Sequence, residues 1–88
     1  MLLSLGRNIK KNRERLGYNQ LDLAGLVGCT QHAISNWEKG VRTPRVDKLI
    51  KLSIILKIPL EKIMDGIDFR EWHVLDQIYQ GFIGVNKR

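Results

Sequence analysis

Glycine and proline cut this chain into runs too short to stand alone. Gly17, Gly28, Gly40, Pro44, Pro59 and Gly66 separate short stretches of patterned apolar residues. Isolated helices of fewer than about 12–15 residues are marginal in water, so such segments persist only by packing on one another. Leu5, Ile9 and Leu16 keep helical spacing up to Gly17, a residue suited to a helix C-terminus. A second segment opens at Asn19-Gln20 and carries Leu23, Ala24 and Val27 before Gly28. A third opens at Thr30, a good N-cap, and carries Ile34 and Trp37 before Gly40. Val41-Arg42-Thr43-Pro44 reads as a loop. The fourth places Val46, Leu49, Leu52, Ile55 and Leu56 on one side, and Pro59 is expected to stop it and begin a very short fifth helix through Met64. No alternating strand pattern of useful length occurs, so the expected fold class is all-α.

Beyond Gly66 the spacing predicts a sixth helix over residues 68–82. Asp68 and Glu71 have the spacing of N-cap and N3 in a capping box. Trp72, Leu75, Tyr79 and Phe82 recur at three- and four-residue intervals, joined by Val74, Ile78 and Ile83. A short strand over residues 82–85 is the alternative for its end. Eighty-eight residues support one core, giving a domain over residues 1–66 and a helical extension over 67–88. No run approaches the roughly 18 apolar residues of a membrane span, and the N-terminus lacks the apolar stretch of a signal peptide. Cys29 is the single cysteine, which excludes an intramolecular disulfide and fits a reducing cytoplasm.

Charge is unevenly distributed. The chain carries a net +6, but residues 1–58 hold eleven bases and four acids, whereas residues 59–83 hold two bases and five acids. A basic body with an acidic C-terminal segment suggests a polyanionic partner for the body alone. Taken by itself the charge fits a merely soluble basic protein equally well.

The second and third segments decide between these readings. Gly28 suits the left-handed backbone of a tight turn, and Ala24 suits a close helix crossing. This is the layout of a helix-turn-helix, whose second helix presents its outer face to the major groove; spacing alone also fits a generic αα-hairpin. The residues add more. The run Asn19-Gln20-Leu21-Asp22-Leu23-Ala24-Gly25-Leu26-Val27-Gly28-Cys29-Thr30-Gln31-His32-Ala33-Ile34-Ser35-Asn36-Trp37-Glu38-Lys39-Gly40 closely resembles the lambda-repressor/Cro-like helix-turn-helix family, also called the xenobiotic-response-element family. The resemblance covers about residues 5–65, including the Arg42-Thr43-Pro44-Arg45 loop. It implies a five-helix DNA-binding fold, usually dimeric, acting on a palindromic operator.

Gln31, His32, Ser35, Asn36 and Lys39 occupy the outward positions of the third helix. Side-chain amides can bond adenine in bidentate fashion, and His and Ser can donate to base-edge acceptors. By resemblance Gln31, His32 and Asn36 match base-reading positions, and Ser35 lies beside them. Asn19 and Gln20 stand at the start of the second helix, where free amides and the helix dipole favour an anion. Asn19 also suits the cap. Lys39, Arg42, Thr43 and Arg45 cluster at the end of the third helix and in its loop, and by resemblance they touch the phosphate backbone. Arg7, Lys10, Lys11 and Arg15 read as a solvated face. Arg13, four after Ile9 and three before Leu16, points along the apolar stripe and needs a carboxylate. Glu38, four after Ile34, also faces inward, and the resemblance implies an Arg13–Glu38 ion pair.

Nothing points to catalysis, a metal or a cofactor. Cys29 and His32 are three apart but lack a second ligand pair, and His73 beside Glu71 lacks a partner. No glycine-rich phosphate loop and no small-molecule site is evident. The expected protein is therefore a cytoplasmic, nucleoid-associated transcriptional regulator of phage or mobile-element type that binds double-stranded DNA. An antitoxin or a restriction-modification controller fits the same class, and a protein-interaction module on the same fold is the alternative of a different class. Trp72, Val74, Leu75, Ile78, Tyr79, Phe82 and Ile83 cover more than one narrow stripe, and Trp72, Leu75, Ile78, Tyr79 and Phe82 are expected to support a homodimer. A sixth helix folded onto its own monomer and a linker to an effector domain are the alternatives.

Overall fold

Residues 3–64, the part described by the computed structural model, form five helices: α1 (Leu3–Arg15), α2 (Gln20–Val27), α3 (Gln31–Lys39), α4 (Val46–Ile55) and α5 (Leu60–Ile63). The additional helix expected over 68–82, with Trp72, Leu75, Ile78, Tyr79 and Phe82, lies outside the described residues.

Local chemistry fixes most of the helix ends. The Asn19 side chain accepts from the Asp22 N–H at 2.7 Å, and the Asn19 N–H donates to Asp22 Oδ2 at 3.1 Å. This reciprocal capping box satisfies two groups that a helix start otherwise leaves unpaired. Thr30 caps α3 by accepting from the Ala33 N–H at 3.1 Å. Between them, Gly28 adopts φ 83° and ψ 44° and sends its N–H to Ala24 O, so α2 ends and α3 starts within three residues. A β-carbon is disfavoured in that left-handed backbone.

The end of α4 departs from the expectation. The helix stops at Ile55 rather than continuing to Pro59. Lys57 takes φ 59°, its N–H bonds Ile54 O, and the Ile58 N–H bonds Ser53 O. That is a Schellman closure, here made without glycine. Arg15 assists it: its guanidinium donates to Leu56 O at 2.9 Å and to Asn12 Oδ1 at 3.2 Å. Arg15 therefore does more than populate a solvated face, because a carbonyl left open at a helix end attracts a donor from across the fold.

The core draws on every helix. Leu5 and Ile9 of α1, Leu23, Ala24 and Val27 of α2, Ile34 and Trp37 of α3, Leu49 and Leu52 of α4 with Leu56, and Ile63 of α5 are buried together. Gly6 permits the closest approach, between α1 and α3. A β-carbon there would lie 2.6 Å from the Glu38 carbonyl oxygen and would also strike that of Trp37. Asn8 ties α1 to α5 by donating to Ile63 O at 2.6 Å. Lys48 of α4 donates to Gly28 O at 3.3 Å, bracing the α2–α3 turn. No described helix is long and apolar enough to cross a membrane.

Candidate nucleic-acid interface

α3 has two faces of opposite character. Ile34 and Trp37 enter the core, while Gln31, His32 and Lys39 are exposed and Ser35 and Asn36 half-buried. The nine residues are amphipathic because apolar and polar types alternate at helical spacing. Among the described residues, no side-chain hydrogen bond engages Gln31, His32, Ser35 or Asn36 with the rest of the fold. Their donors and acceptors are therefore open to a partner.

The inner edge is held by a buried network. Arg13, only 8% exposed, donates through Nε to Glu38 Oε2 at 2.7 Å and through Nη2 to Glu38 Oε1 at 3.1 Å. Its Nη1 donates to Tyr18 O at 2.9 Å, in the α1–α2 connection. Gln20 Nε2 donates to Glu38 Oε1 at 3.0 Å. One carboxylate thus joins α1, the start of α2 and α3. The bidentate pair holds the guanidinium pKa above its ordinary value; the Glu38 hydrogen bond is the main cause, outweighing the opposing effect of burial. Because that pKa is raised, the guanidinium's contribution is fully present below its ordinary value and is lost as pH rises through the raised one.

The positioning residues occupy both ends of α3. Gly40 reverses the chain with φ 75°, and the Val41 and Arg42 N–H groups both bond Asn36 O, at 2.9 and 3.3 Å. This folds the loop back along α3. Arg42, Thr43, Asn36 and His32 line an open concavity of about 350 Å³ floored by Trp37. Arg42 and Arg45 are exposed, and Arg45 precedes α4 without making a side-chain cap. Lys39 projects at the end of α3. At the start of α2, Asn19 is engaged in its own capping box and Gln20 in the Glu38 network. The structure therefore brings Gln31, His32, Ser35, Asn36, Lys39, Arg42 and Thr43 to α3 and its loop, and couples Gln20 to α3 through Glu38.

Three contributors escaped sequence reasoning. Gly6 could have been noticed as a glycine inside a helical pattern without a turn signal, which suggests close packing. Arg15 and Lys48 act on carbonyls distant in sequence, and no local pattern marks them. Cys29 is half-buried, and burial pushes its thiol pKa up despite the opposing pull of Lys48. Among the described residues no group of three or more His, Cys, Asp or Glu could hold a metal ion.

Comparison with known proteins places this arrangement. The family described as helix-turn-helix matches residues 9–63. The HTH-type transcriptional regulator ImmR of Bacillus subtilis (strain 168) is 31% identical over 62 residues, covering 70% of this chain and 49% of ImmR. The chain thus spans about half the length of that curated relative. The P22 c2 repressor, solved in complex with a synthetic operator, matches with a TM-score of 0.67 and 31% identity over 70% of this chain and 94% of that one. SinR, a master regulator for biofilm formation solved in complex with DNA, matches with a TM-score of 0.65 and 29% identity over 69% of this chain and 98% of that one.

Proposed function

Because the chain belongs to the helix-turn-helix family, we propose that it is a sequence-specific DNA-binding transcriptional regulator, a repressor of phage or mobile-element type. The observation that carries this reading is the open outer face of α3, whose side-chain amides make no hydrogen bond among the described residues while the inner face is engaged with α1 and α2. Gln31, His32, Ser35 and Asn36 read base edges in the major groove. Asn19, Gln20, Lys39, Arg42, Thr43 and Arg45 hold the phosphates on either side, with the helix start at Gln20 contributing backbone amides. The P22 c2 repressor and SinR, both solved on DNA, support the assignment.

In this reading the protein acts in the cytoplasm at the nucleoid, needs no cofactor and catalyses no reaction. It binds as a homodimer to a palindromic operator, the two α3 helices about one duplex turn, ~34 Å, apart. Residues 1–66 form the reading domain, and Trp72, Leu75, Ile78, Tyr79 and Phe82 of the extension supply the two-fold contact. Selection of bound sequences from a random duplex library tests the proposal. A palindromic consensus bound at least tenfold more tightly than random duplex supports it, and equal binding to all sequences refutes it.

A further inference from the structure

α4 presents two isoleucines to solvent on the side away from the core. Ile54 is 69% exposed and Ile50 36%, whereas Leu49 and Leu52 on the opposite side are buried. Ile50 and Ile54 are four apart and so share one strip of the helix surface. Lys57 follows just past the helix and is exposed, Lys51 carries its Nζ toward Gly28 of the α2–α3 turn, and Asp47 stands at the other end. Two isoleucines, one of them already mostly covered, offer far too little area for a separate protein, which needs on the order of 800 Å² per partner. A segment delivered by a short tether faces a smaller cost, because its effective concentration is in the millimolar range.

Such a segment follows immediately. Met64 packs on the core next to α5, and α5 lies against α4. Only residues 65–67 separate it from Asp68, a reach of about 14 Å at most when fully extended. Residues 72–83 hold seven apolar side chains, and residues 65–83 hold four acids and one base, opposite in sign to Lys57 at the end of the isoleucine strip. Length, apolar content and charge all match this face.

We propose that the outer face of α4 is the seat of residues 68–83 of the same chain. One apolar stripe of that segment covers Ile50 and Ile54, and its acids face Lys57. Trp72, Tyr79 and Phe82 then lie where this face and the two-fold contact proposed above meet, and Leu75 and Ile78 stay available for a second copy. The inference stands apart from DNA reading, which a gel shift on the same sample measures separately.

Methyl NMR of the full 88-residue chain, labelled at isoleucine, tests it. The Ile50 and Ile54 methyl groups should show cross-peaks to aromatic protons of residues 72–82, and Trp72→Ala should shift those methyls but not that of Ile9. The cross-peaks should persist as intrachain signals in a mixture of labelled and unlabelled protein. Cross-peaks found only between chains make a second copy the occupant and overturn the proposal, as does their absence. The exposed-site double variant Ile50→Ser, Ile54→Ser gives a second readout. Amide exchange over 68–83 should quicken several-fold, and unchanged exchange overturns the proposal.

Discussion

The two faces of α3 invest their polar groups in opposite ways. On the inner face one carboxylate, Glu38, accepts from Arg13 twice and from Gln20 once, and its side chain is buried away from any ligand. On the outer face Gln31, His32, Ser35 and Asn36 lie one turn away or less and make no side-chain hydrogen bond among the described residues. A helix of nine residues cannot be stable through its own hydrogen bonds. The buried face therefore supplies rigidity, and that leaves the exposed face free to be chosen for recognition. The contrast predicts that inner substitutions unfold the domain, whereas outer ones alter binding and leave stability untouched.

The sharpest way to break this contrast is at Glu38. Glu38→Ala leaves the Arg13 guanidinium buried without its counter-ion, which costs about 3–5 kcal/mol. That is comparable with the lower end of domain stability, about 5 kcal/mol. Urea unfolding followed by circular dichroism should show most of the stability gone, and a loss below about 1 kcal/mol would mean that the network is not a structural lock. Gly6→Ala probes the same side through packing. Its new methyl meets carbonyl oxygens of α3 that cannot move without the helix. A cost of about 1–3 kcal/mol is expected, as for other overpacked sites. A neutral or stabilising outcome would show that α1 and α3 can separate freely.

These inner contacts differ in how far they are legible in sequence. The α2 and α3 boundaries are written locally, in Asn19, Gly28, Thr30 and Gly40, because caps and left-handed turns select few residue types. The place of Arg13 on an apolar stripe is likewise visible, since an inward charge demands a partner. The contact of Gly6 with α3 is not, because nothing local says which helix will cross there. The end of α4 misleads for a related reason. Lysine carries no turn signal, and the left-handed Lys57 is supported by Arg15, forty-one residues from the carbonyl it caps. On the outer face the residue types are readable, but the bases that they select depend on the partner.

The outer face sharpens the comparison through Gln31→Ala and Asn36→Ala. Each should weaken operator binding by about 1–3 kcal/mol and relax selectivity at one base pair. Stability should stay within about 0.5 kcal/mol of the parent, as for exposed sites generally. Binding titrations on matched and singly mismatched operators, paired with thermal melts, measure both. A variant that lost stability and binding together would erase the distinction between the faces.

The smallest effect separates arginines that look alike in sequence. Arg15 is committed to Leu56 O and Asn12 Oδ1, whereas Arg42 and Arg45 make no side-chain hydrogen bond within the described residues. A guanidinium free to neutralise a phosphate displaces a condensed counter-ion, contributing about −0.9 to the slope of log affinity against log salt. Arg42→Ala and Arg45→Ala should each make that slope shallower by about this amount, with little change in selectivity and none in melting temperature. Arg15→Ala should do the reverse: a slope within about 0.3 of the parent, and a lowered melting temperature because the end of α4 loses its donor. Binding isotherms at four salt concentrations resolve these slopes. If Arg15→Ala moved the slope as far as Arg42→Ala, the intramolecular bond would be giving way on DNA, and the division between groups that hold the fold and groups that meet the phosphates would have to be redrawn at α1.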